Sequence, residues 1–487
     1  MQSMRTRIKT LEKVALSLEP PARERKKVRD RVISYTENFL NNIRVEKAYR
    51  VTEEKGAGLL RSPILEKPVS IKHALALVRD HVDFPGLNPA SGGYLGYVPG
   101  GGIYFSALGD YLADVTNRYA GVFFAGPGAV RMENMLLRWL AGIVDYPEAA
   151  GGNLTSGGSL ANLIGIVTAR DAKNIRSRDV ERSVIYSSSQ THHSVDKAIR
   201  IAGLQEAVLR HVPLDSAFRI IPSALESQIT QDTEQGLRPF LVIASAGTTD
   251  VGAIDPLADI GAIARRHGLW YHVDAAYGGF FLLTKEGQKK LRGIEASDSV
   301  VIDPHKGLFL PYGLGAVLVR DPSTLLASQH YSASYMQDAA GDNEELSPAE
   351  LSPELTKPFR GMRLWLPLKL LGVKPFRACL EEKLMLAKYF YKEIRNLGFE
   401  TGPKPELSVV TYRYAPEHGD ADDFNKRLVD EVRNDGRVFI SSTVLNGRFT
   451  LRFACLSFRT HLDTVDLLLQ ILKEKVALLK RQTSGSL

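Results

Sequence analysis

Apolar positions change their spacing along the chain, and two patterns alternate between about residues 130 and 320. Residues 131–144 repeat apolar side chains at intervals of three and four, which predicts a helix whose buried stripe holds Met132, Met135, Leu136, Trp139 and Ile143. Nearly continuous apolar runs, typical of strands buried on both faces, occur at 183–188, 240–247 and 269–274. Strands of this kind separated by helices predict an α/β fold class, with a mostly parallel central sheet and helices on both faces.

Helix-end signals lie between the last two apolar runs. Asp255 is a typical N-cap, Pro256 suits the first helical position, and Gly268 suits the stop. We therefore predict a helix that begins at Pro256, is capped by the Asp255 side chain and ends before Gly268.

The two ends of the chain differ from this middle part. The N-terminal segment is helical in pattern at first and ends in PASGGYLGYVPGGG (89–102), whose glycine and proline content predicts a loop. A long helical region (361–397) is followed by predicted strands and a last amphipathic helix, at 409–414, 437–442, 449–456 and about 462–480. We predict an N-terminal helical segment with a loop, a large domain and a small C-terminal α+β domain, over 1–99, 100–375 and 376–487.

Charge and composition change this picture little. The 62 Lys and Arg residues outnumber the 55 Asp and Glu residues, which gives a net charge of +7. The densest basic cluster, residues 22–31, also contains acids, so we interpret it as a solvated helix face whose buried points are Val28, Val32, Phe39 and Ile43. No nucleic-acid-binding motif accompanies it, and we expect no nucleic-acid partner.

Two further sequence features bear on the compartment. The sequence contains no run of eighteen apolar residues and no cleavable leader pattern, so we expect no membrane partner and a cytoplasmic location. Cys379 and Cys455 are too few for a disulfide framework and lack metal-ligand spacing. We interpret both as buried thiols and expect no metal.

The residues with the most specific chemistry lie where two apolar runs end. HVDAAYGG (272–279) sets Asp274 at the end of one run, and VVIDPHKGL (300–308) sets Lys306 at the end of another. In an open parallel sheet both side chains would point into one crevice beyond the carboxyl ends of the strands. Pyridoxal 5′-phosphate (PLP) requires a lysine that holds its aldehyde as a Schiff base and a carboxylate that keeps its pyridine nitrogen protonated. We therefore predict PLP as the cofactor.

Other parts of such a cofactor have candidate partners nearby. A phosphate binds at helix N-termini, and TSGGSLANL (155–163) offers Gly158 and Ser159 as a helix begins. His192 and His193 lie at a strand-to-helix junction, where they are either partners for the flat ring or ordinary capping and core groups.

Three more polar residues flank these strands. His305, beside Lys306, either touches the phosphate or orients the turn. Thr249 follows a strand end, where its hydroxyl can reach the ring oxygen or a substrate carboxylate. We interpret His272 as an ordinary strand residue.

As a set, these motifs resemble a known family. SSSQTHHSV, SAGTTDVGAIDP, HVDAAYGG, DPHKG and FRGMRLWLPLKLLG (359–372) are similar to the group II PLP-dependent amino acid decarboxylases. The resemblance extends from about residue 80 to the FTLRFA segment and is closer to the aromatic-L-amino-acid branch, in the stretches 151–200 and 248–276. It implies PLP-dependent decarboxylation of an aromatic L-amino acid to its amine, with release of CO2.

The resemblance also implies a structure and residue roles. The fold would be that of the PLP-dependent transferases of fold type I, in a homodimer with the active site at the subunit interface. Lys306 would hold the cofactor, Asp274 would pair with the pyridinium, and His192 would stack on the ring, with Lys306 and His192 as catalytic residues. Ala276 would pack on the opposite ring face, Gly158 and Ser159 would hold the phosphate, and Thr249 would lie near the ring or the lysine. Tyr97 and Pro99 would line the substrate pocket, and His305 is a further candidate for cofactor binding.

The sequence departs from this family in a loop that carries a proton-donating tyrosine. Counting back from Phe359 puts Pro348 about where that tyrosine would fall. Either Tyr331 or Tyr335 replaces it, or His192 or water delivers the proton, or the substrate is oxidatively deaminated to an aldehyde with release of peroxide.

A second departure lies in the pocket segment, residues 96–104. Val98 and the three glycines that follow Pro99 reshape the pocket, which leaves decarboxylation of an acidic or diamino acid as an alternative. A catalytically silent relative that acts as a binding protein is another alternative. The presence of Lys306, Asp274 and His192 together speaks against the silent relative.

Overall fold

The computed structural model describes residues 3–98, 100–330 and 344–484. Its strands, in chain order, are β1 (Tyr49–Arg50), β2 (Gly86–Leu87), β3 (Gly151–Thr155), β4 (Ser183–Ser187), β5 (Val208–His211), β6 (Arg238–Ser245), β7 (Trp270–Asp274), β8 (Ser299–Ile302), β9 (Gly315–Val319), β10 (Phe399–Thr401), β11 (Val409–Tyr414), β12 (Ser441–Leu445) and β13 (Arg448–Ala454). Its α-helices are α1 (Met4–Ala15), α2 (Ala22–Asn42), α3 (Ile71–Val78), α4 (Tyr104–Thr116), α5 (Pro127–Ile143), α6 (Gly158–Ala172), α7 (Ser194–Ile201), α8 (Pro222–Glu234), α9 (Leu257–His267), α10 (Lys285–Lys290), α11 (Pro304–Gly307), α12 (Pro322–Gln329), α13 (Gly361–Leu371), α14 (Lys374–Asn396), α15 (Ala421–Asp435) and α16 (Leu462–Ser484).

Seven strands form the central sheet, in the order β3-β9-β8-β7-β6-β4-β5. β9 is antiparallel to both of its neighbours, and the other neighbouring pairs are parallel. The strands β4, β6, β7 and β8 therefore end at the same edge of the sheet. This sheet confirms the predicted α/β class with a mostly parallel sheet.

Helices cover both faces of this sheet. Along β6, Val242 and Ala244 belong to one hydrophobic core, and the alternate residues Leu241 and Ile243 belong to another. The first core also contains α5, α8 and α9 residues, and the second contains α6 and α7 residues. Because successive strand residues point to opposite faces, a strand buried on both faces is apolar throughout, which is why the run 240–247 has no polar alternation.

A second sheet follows in the C-terminal part of the chain. Its order is β10-β11-β13-β12, and all its pairs are antiparallel. Residues of α14, α15 and α16 form a separate hydrophobic core with it, in which the rings of Phe390 and Phe453 stack at 4.2 Å between centroids. The predicted small α+β unit is thus present, and its limits stay a prediction.

The predicted helix before β7 forms, but its start differs from the prediction. α9 begins at Leu257 and ends before Gly268, whose φ of 66° gives the left-handed conformation expected of a helix stop. Asp255 does not cap this helix, because its carboxylate accepts hydrogen bonds from the amides of Ile220 and Ser245, each at 2.8 Å. Burial raises the pKa of Asp255 to about 6. The capping prediction was wrong because the carboxylate joins two distant segments instead.

One predicted strand bound in the C-terminal part was also wrong. Residues 437–440 precede β12, because Phe439 pairs with the N-terminal segment: its amide donates to Gly93 O, and its carbonyl accepts from the Leu95 amide, both at 2.8 Å. The helical region predicted over 361–397 is confirmed; it consists of two helices, α13 and α14, because Gly372 (φ 66°) ends the first.

The buried face of α5 agrees with the predicted stripe only in part: Leu136 is buried, and Met132, Trp139 and Ile143 pack partly buried against the core. Met135 is 40% exposed, whereas Leu136, Leu137 and Leu140 are buried. The buried face also contains Glu133, whose carboxylate lies 2.5 Å from Nζ of the buried Lys357. Apolar residues occupy more than one side of this helix, so spacing alone did not select the face.

The N-terminal helices bury little within the chain. α1 and α2 contain no buried residue. The expectation that Val28, Val32 and Phe39 are buried was therefore wrong, whereas Ile43, just after α2, is buried. The apolar side chains of α2 remain available for contacts outside the chain.

The remaining predictions concern cysteines and membranes. Cys455 is buried as expected, but Cys379 is only half-buried, and both thiols are free. Among the described residues, no helix has the length and apolar content needed to cross a membrane.

Candidate active site

A polar cavity of about 400 Å³ lies at the sheet edge where β4, β6, β7 and β8 end. It is lined by the residues predicted to hold the cofactor: Lys306, Asp274, Ala276, His192, Gly158, Ser159, Thr249 and His305. Residues that sequence interpretation missed also line it, among them Asn162, Ser194 and Asp303. The parallel strands bring these residues together from five separate loops, because their carboxyl ends share one edge.

Asp274 is the last residue of β7, in the middle of the sheet. Its Oδ2 accepts a hydrogen bond from Asn162 Nδ2 at 2.9 Å, and its Oδ1 accepts one from the Ala276 amide at 3.1 Å. The carboxylate is buried, so these two donors fix its orientation. It can present a negative charge to a cationic group in the cavity.

Lys306 does not end a strand, contrary to the sequence interpretation. It lies in the one-turn helix α11, four residues after β8 ends at Ile302. Its Nζ is 3.1 Å from Oδ2 of Asp303, which directly follows β8. Neither Asp303 oxygen has a hydrogen-bond partner among the described residues. The lysine amine and this buried carboxylate therefore form an ion pair at the cavity without hydrogen-bond geometry.

His305 is held by the same turn. Its Nδ1 donates to the carbonyl of Leu314 at 2.5 Å, and its Nε2 is 3.8 Å from Asp303 Oδ2. Burial lowers the pKa of His305. The contact to Leu314 favours the role of orienting the turn, and the ring also lines the cavity.

The start of α6 forms a cradle on another side of the cavity. A Cβ atom at Gly158 would lie 2.9 Å from Asp303 Oδ2 and 3.2 Å from Ala276 Cβ, so glycine is required here. Ser159 follows as the second residue of the helix. The first amides of a helix have no partner within the helix and attract anions.

His192 lies in the turn between β4 and α7. Its Nδ1 accepts a hydrogen bond from the Ser194 amide at 3.3 Å and lies 2.7 Å from Ser194 Oγ. Burial lowers the pKa of His192, which favours the neutral ring, and the residue lines the cavity. His193 packs beside it, with 4.1 Å between ring centroids.

The loop after β6 is held from the second sheet. Arg452 of β13 donates to the carbonyls of Thr249 and Asp250, the latter at 2.8 Å, and to Ser441 Oγ at 2.8 Å. Arg452 is buried, and it was not predicted as a site residue because its position depends on how the two sheets pack. The arginine fixes the loop from which Thr249 lines the cavity.

The substrate-side residues are placed differently. Tyr97 is 50% exposed, packs against Phe439 with 5.9 Å between ring centroids, and does not line this cavity. Pro99, Tyr331 and Tyr335 lie outside the described residues. Pro348 is buried away from the cavity, where its carbonyl accepts a hydrogen bond from Asn153 Nδ2 at 2.7 Å.

The cavity suits PLP in its chemistry. It combines a lysine amine, the buried carboxylate of Asp274, an imidazole and the start of a helix. These are the groups that the aldehyde, the ring nitrogen, the ring face and the phosphate each require.

Comparisons with known proteins agree with this chemistry. The model of the pyridoxal-dependent decarboxylase conserved domain matches residues 93–415. The chain is 35% identical to an aromatic-L-amino-acid decarboxylase of Bacillus atrophaeus over 82% of each chain, and 32% identical to tyrosine decarboxylase 2 of Arabidopsis thaliana over 80% of this chain and 74% of that one. A phenylacetaldehyde synthase of Arabidopsis thaliana is 29% identical, over 81% of this chain and 84% of that one.

A solved structure extends the likeness to the fold. Oryza sativa TDC with PLP and tryptamine superimposes with a TM-score of 0.89 and 26% identity, over 94% of this chain and 99% of that one. Fold type I is thereby confirmed. Together with the family match, these likenesses show that the chain belongs to the pyridoxal-dependent decarboxylases, lyases that remove the carboxyl group of amino acids with PLP as cofactor.

Proposed function

We propose that this enzyme decarboxylates an aromatic L-amino acid to its amine. The observation that carries the proposal is the single cavity lined by Lys306, Asp274 and His192. The names of the Bacillus atrophaeus and Arabidopsis thaliana relatives support the aromatic class of substrate.

In this proposal the residues of the cavity divide the work. Lys306 would hold the cofactor aldehyde, and Asp274 would keep a proton on the ring nitrogen. His192 and Ala276 would enclose the ring, and the amides at Gly158 and Ser159 would hold the phosphate. When bound, PLP supplies the sink for the electron pair that remains at the α-carbon after CO2 leaves.

The proton that replaces CO2 must come from a nearby group. Because Nδ1 of His192 accepts the Ser194 amide, the neutral ring carries its proton on Nε2. We propose that His192 gives this proton from Nε2 in its protonated form, in which Nδ1–H can donate to Ser194 Oγ at 2.7 Å, and that the ring is then left neutral. Water, Tyr331 and Tyr335 are the alternatives.

We further propose a cytoplasmic homodimer whose active site lies at the subunit interface. An apolar groove of about 730 Å³ between α2 and α4 supports this, since Val32, Ile33 and Leu108 line it without cover from the rest of the described chain. The exposure of Tyr97 also supports it, because a residue of one subunit can then line the substrate pocket of the other.

A second candidate is oxidative deamination to an aldehyde. Two observations favour it: the buried Pro348 occupies the position expected for the loop tyrosine, and the phenylacetaldehyde synthase is a similar relative. Peroxide release distinguishes this reaction from decarboxylation.

The test is to incubate the purified protein with PLP and the common amino acids in air, and to follow amines and aldehydes by mass spectrometry together with peroxide. We expect an aromatic amine without peroxide. An aldehyde with peroxide would establish the second candidate. Turnover confined to aspartate, glutamate or diaminobutyrate would contradict the aromatic assignment.

A further inference from the structure

Buried polar side chains beneath the cavity form a continuous hydrogen-bonded chain. At its inner end, Trp270 Nε1 donates to Ser299 Oγ at 2.8 Å, and this oxygen lies 2.7 Å from His272 Nδ1. The other ring nitrogen of His272, Nε2, lies 2.9 Å from Asn162 Oδ1. All four side chains are buried, so no water competes for these contacts.

At its outer end the chain divides at Asn162. The Nδ2 group donates to Asp274 Oδ2 at 2.9 Å and to Ser194 Oγ at 3.1 Å. Ser194 Oγ then lies 2.7 Å from His192 Nδ1. One amide side chain therefore contacts Asp274 directly and His192 through Ser194.

The contacts allow a single arrangement of protons. A carboxylate only accepts, so Asn162 must present Nδ2 to Asp274 and Oδ1 to His272. His272 then donates from Nε2, and its Nδ1 accepts from the Ser299 hydroxyl, whose oxygen already accepts from the indole N–H of Trp270. The Asn162 end therefore sets the neutral tautomer of His272, and the Trp270–Ser299 end is compatible with it.

A glycine on α6 allows the helix to approach β7 closely. Gly165 lies one turn after Asn162 on α6, and a Cβ atom there would lie 2.7 Å from His272 Cε1. The helix and β7 therefore approach closely enough for the Asn162–His272 contact because residue 165 has no side chain.

We propose that Asn162 and His272 are positioning residues for the cofactor: His272 orients the Asn162 amide, and Asn162 fixes the Asp274 carboxylate and, through Ser194, the His192 ring. This inference rests on the proposed function, since Asp274 and His192 must hold PLP for their orientation to matter. Neither Asn162 nor His272 needs to touch the reacting atoms.

The test compares His272→Phe, which removes both ring nitrogens, with His272→Gln, which keeps a side-chain donor for Asn162. Asn162→Ala breaks the chain at its branch. Asn425→Ala is the matched control, because Asn425 is equally buried and hydrogen-bonded to the Tyr414 backbone in the C-terminal unit. For each purified protein we would measure the dissociation constant of PLP, the pH dependence of the visible absorbance of bound PLP, and thermal unfolding.

We expect His272→Phe and Asn162→Ala to weaken PLP binding about tenfold or more and to shift the pH at which the visible band changes. His272→Gln should retain both properties of the wild type, and Asn425→Ala should leave both unchanged. The double variant His272→Phe/Asn162→Ala should bind PLP no more weakly than Asn162→Ala alone. If Asn162→Ala does not fold, Ser194→Ala tests the branch to His192 by the same spectrum.

Folded His272→Phe and Asn162→Ala proteins with the PLP affinity and spectrum of the wild type would overturn this inference alone, provided that the wild type binds PLP and releases CO2. A wild type that does not bind PLP would overturn the proposed function, and this inference with it.

Discussion

Lys306 and Asp303 show how single residues set the state of the site. The Lys306 side chain is 24% exposed, whereas the Asp303 side chain is 1% exposed, and their charged atoms lie 3.1 Å apart. A buried carboxylate without a cation is strongly disfavoured, so each residue depends on the other. The ion pair keeps the amine at the cavity before it meets an aldehyde.

Lys306→Ala should abolish turnover, by more than about 10³-fold, because no other described amine lines the cavity to hold the aldehyde. We expect the visible absorbance of bound PLP to disappear while the circular dichroism spectrum is retained, with a melting temperature lower by a few degrees since Asp303 loses its partner. Lys392→Ala, at an exposed lysine of α14, is the control. Retained activity would refute the assignment of Lys306.

Asp274→Asn should reduce kcat by about three orders of magnitude, equivalent to about 4 kcal/mol. An amide carries no charge to keep the ring nitrogen protonated, so the ring would accept electrons poorly. Steady-state kinetics at saturating PLP measure this loss. A loss of less than tenfold would mean that another group holds the ring nitrogen.

At the scale of elements, the contact between α6 and β7 determines the floor of the site. Gly165→Ala should destabilise the protein by about 1–3 kcal/mol, because the new Cβ would lie 2.7 Å from the His272 ring. Gly142→Ala on α5 is a matched control, since a Cβ there meets nothing within 4 Å and should stabilise the helix by about 0.5–1 kcal/mol. Urea unfolding of both variants measures the difference, and equal effects would show that the close approach does not matter.

Burial of His272 on β7 should also make stability depend on pH. Burial lowers the pKa of His272 to about 4, whereas the ordinary value is 6.5. Between these values the unfolded chain binds a proton that the folded chain does not, so the free energy of unfolding falls as pH falls from 6.5 to 4, by about 2–3 kcal/mol. His272→Gln should remove this part of the pH dependence, measured by urea unfolding at pH 7 and pH 4.5. The same change in the free energy of unfolding between pH 7 and pH 4.5 in the wild type and in His272→Gln would contradict this prediction.

At the scale of the whole molecule, the second sheet contacts the loop through which β6 reaches the cavity. Arg452 of β13 donates to backbone carbonyls after β6, and Ser441 of β12 donates to the Gly96 carbonyl next to Tyr97. The C-terminal unit thus fixes both the loop after β6 and the segment that carries Tyr97. In the proposed dimer, the backbone that presents Tyr97 to the partner subunit would therefore be held in place.

Apolar side chains of α2 line the groove that supports the proposed dimer, so charged substitutions there should separate the subunits. Val32→Glu/Ile33→Glu places two charges on side chains that are 38% and 45% exposed in one chain, and we expect a monomer with turnover reduced at least about 100-fold. Light scattering after size exclusion gives the mass. Met385→Glu, at a more exposed residue of α14, should remain a dimer. A wild type that is an active monomer would contradict the proposed interface.

The sequence by itself determined the features that depend on neighbouring residues or on general rules of parallel sheets. Apolar runs marked β4, β6 and β7, and Gly268 marked a helix end, because both follow from local backbone and side-chain preferences. Asp274 and Lys306 could be assigned to one crevice because the carboxyl ends of parallel strands share an edge. The resemblance of the motifs to a known family, together with these two residues, also predicted the cofactor.

Tertiary structure alone decided the contacts between distant segments. Asp255 accepts hydrogen bonds from two distant amides and does not cap its helix. Tyr97 packs against Phe439 outside the cavity, and Arg452 donates to the loop after β6. The link between Asn162 and His272 joins residues 110 positions apart. Such contacts depend on how elements pack, and a polar residue within an apolar run signals only that a buried partner exists.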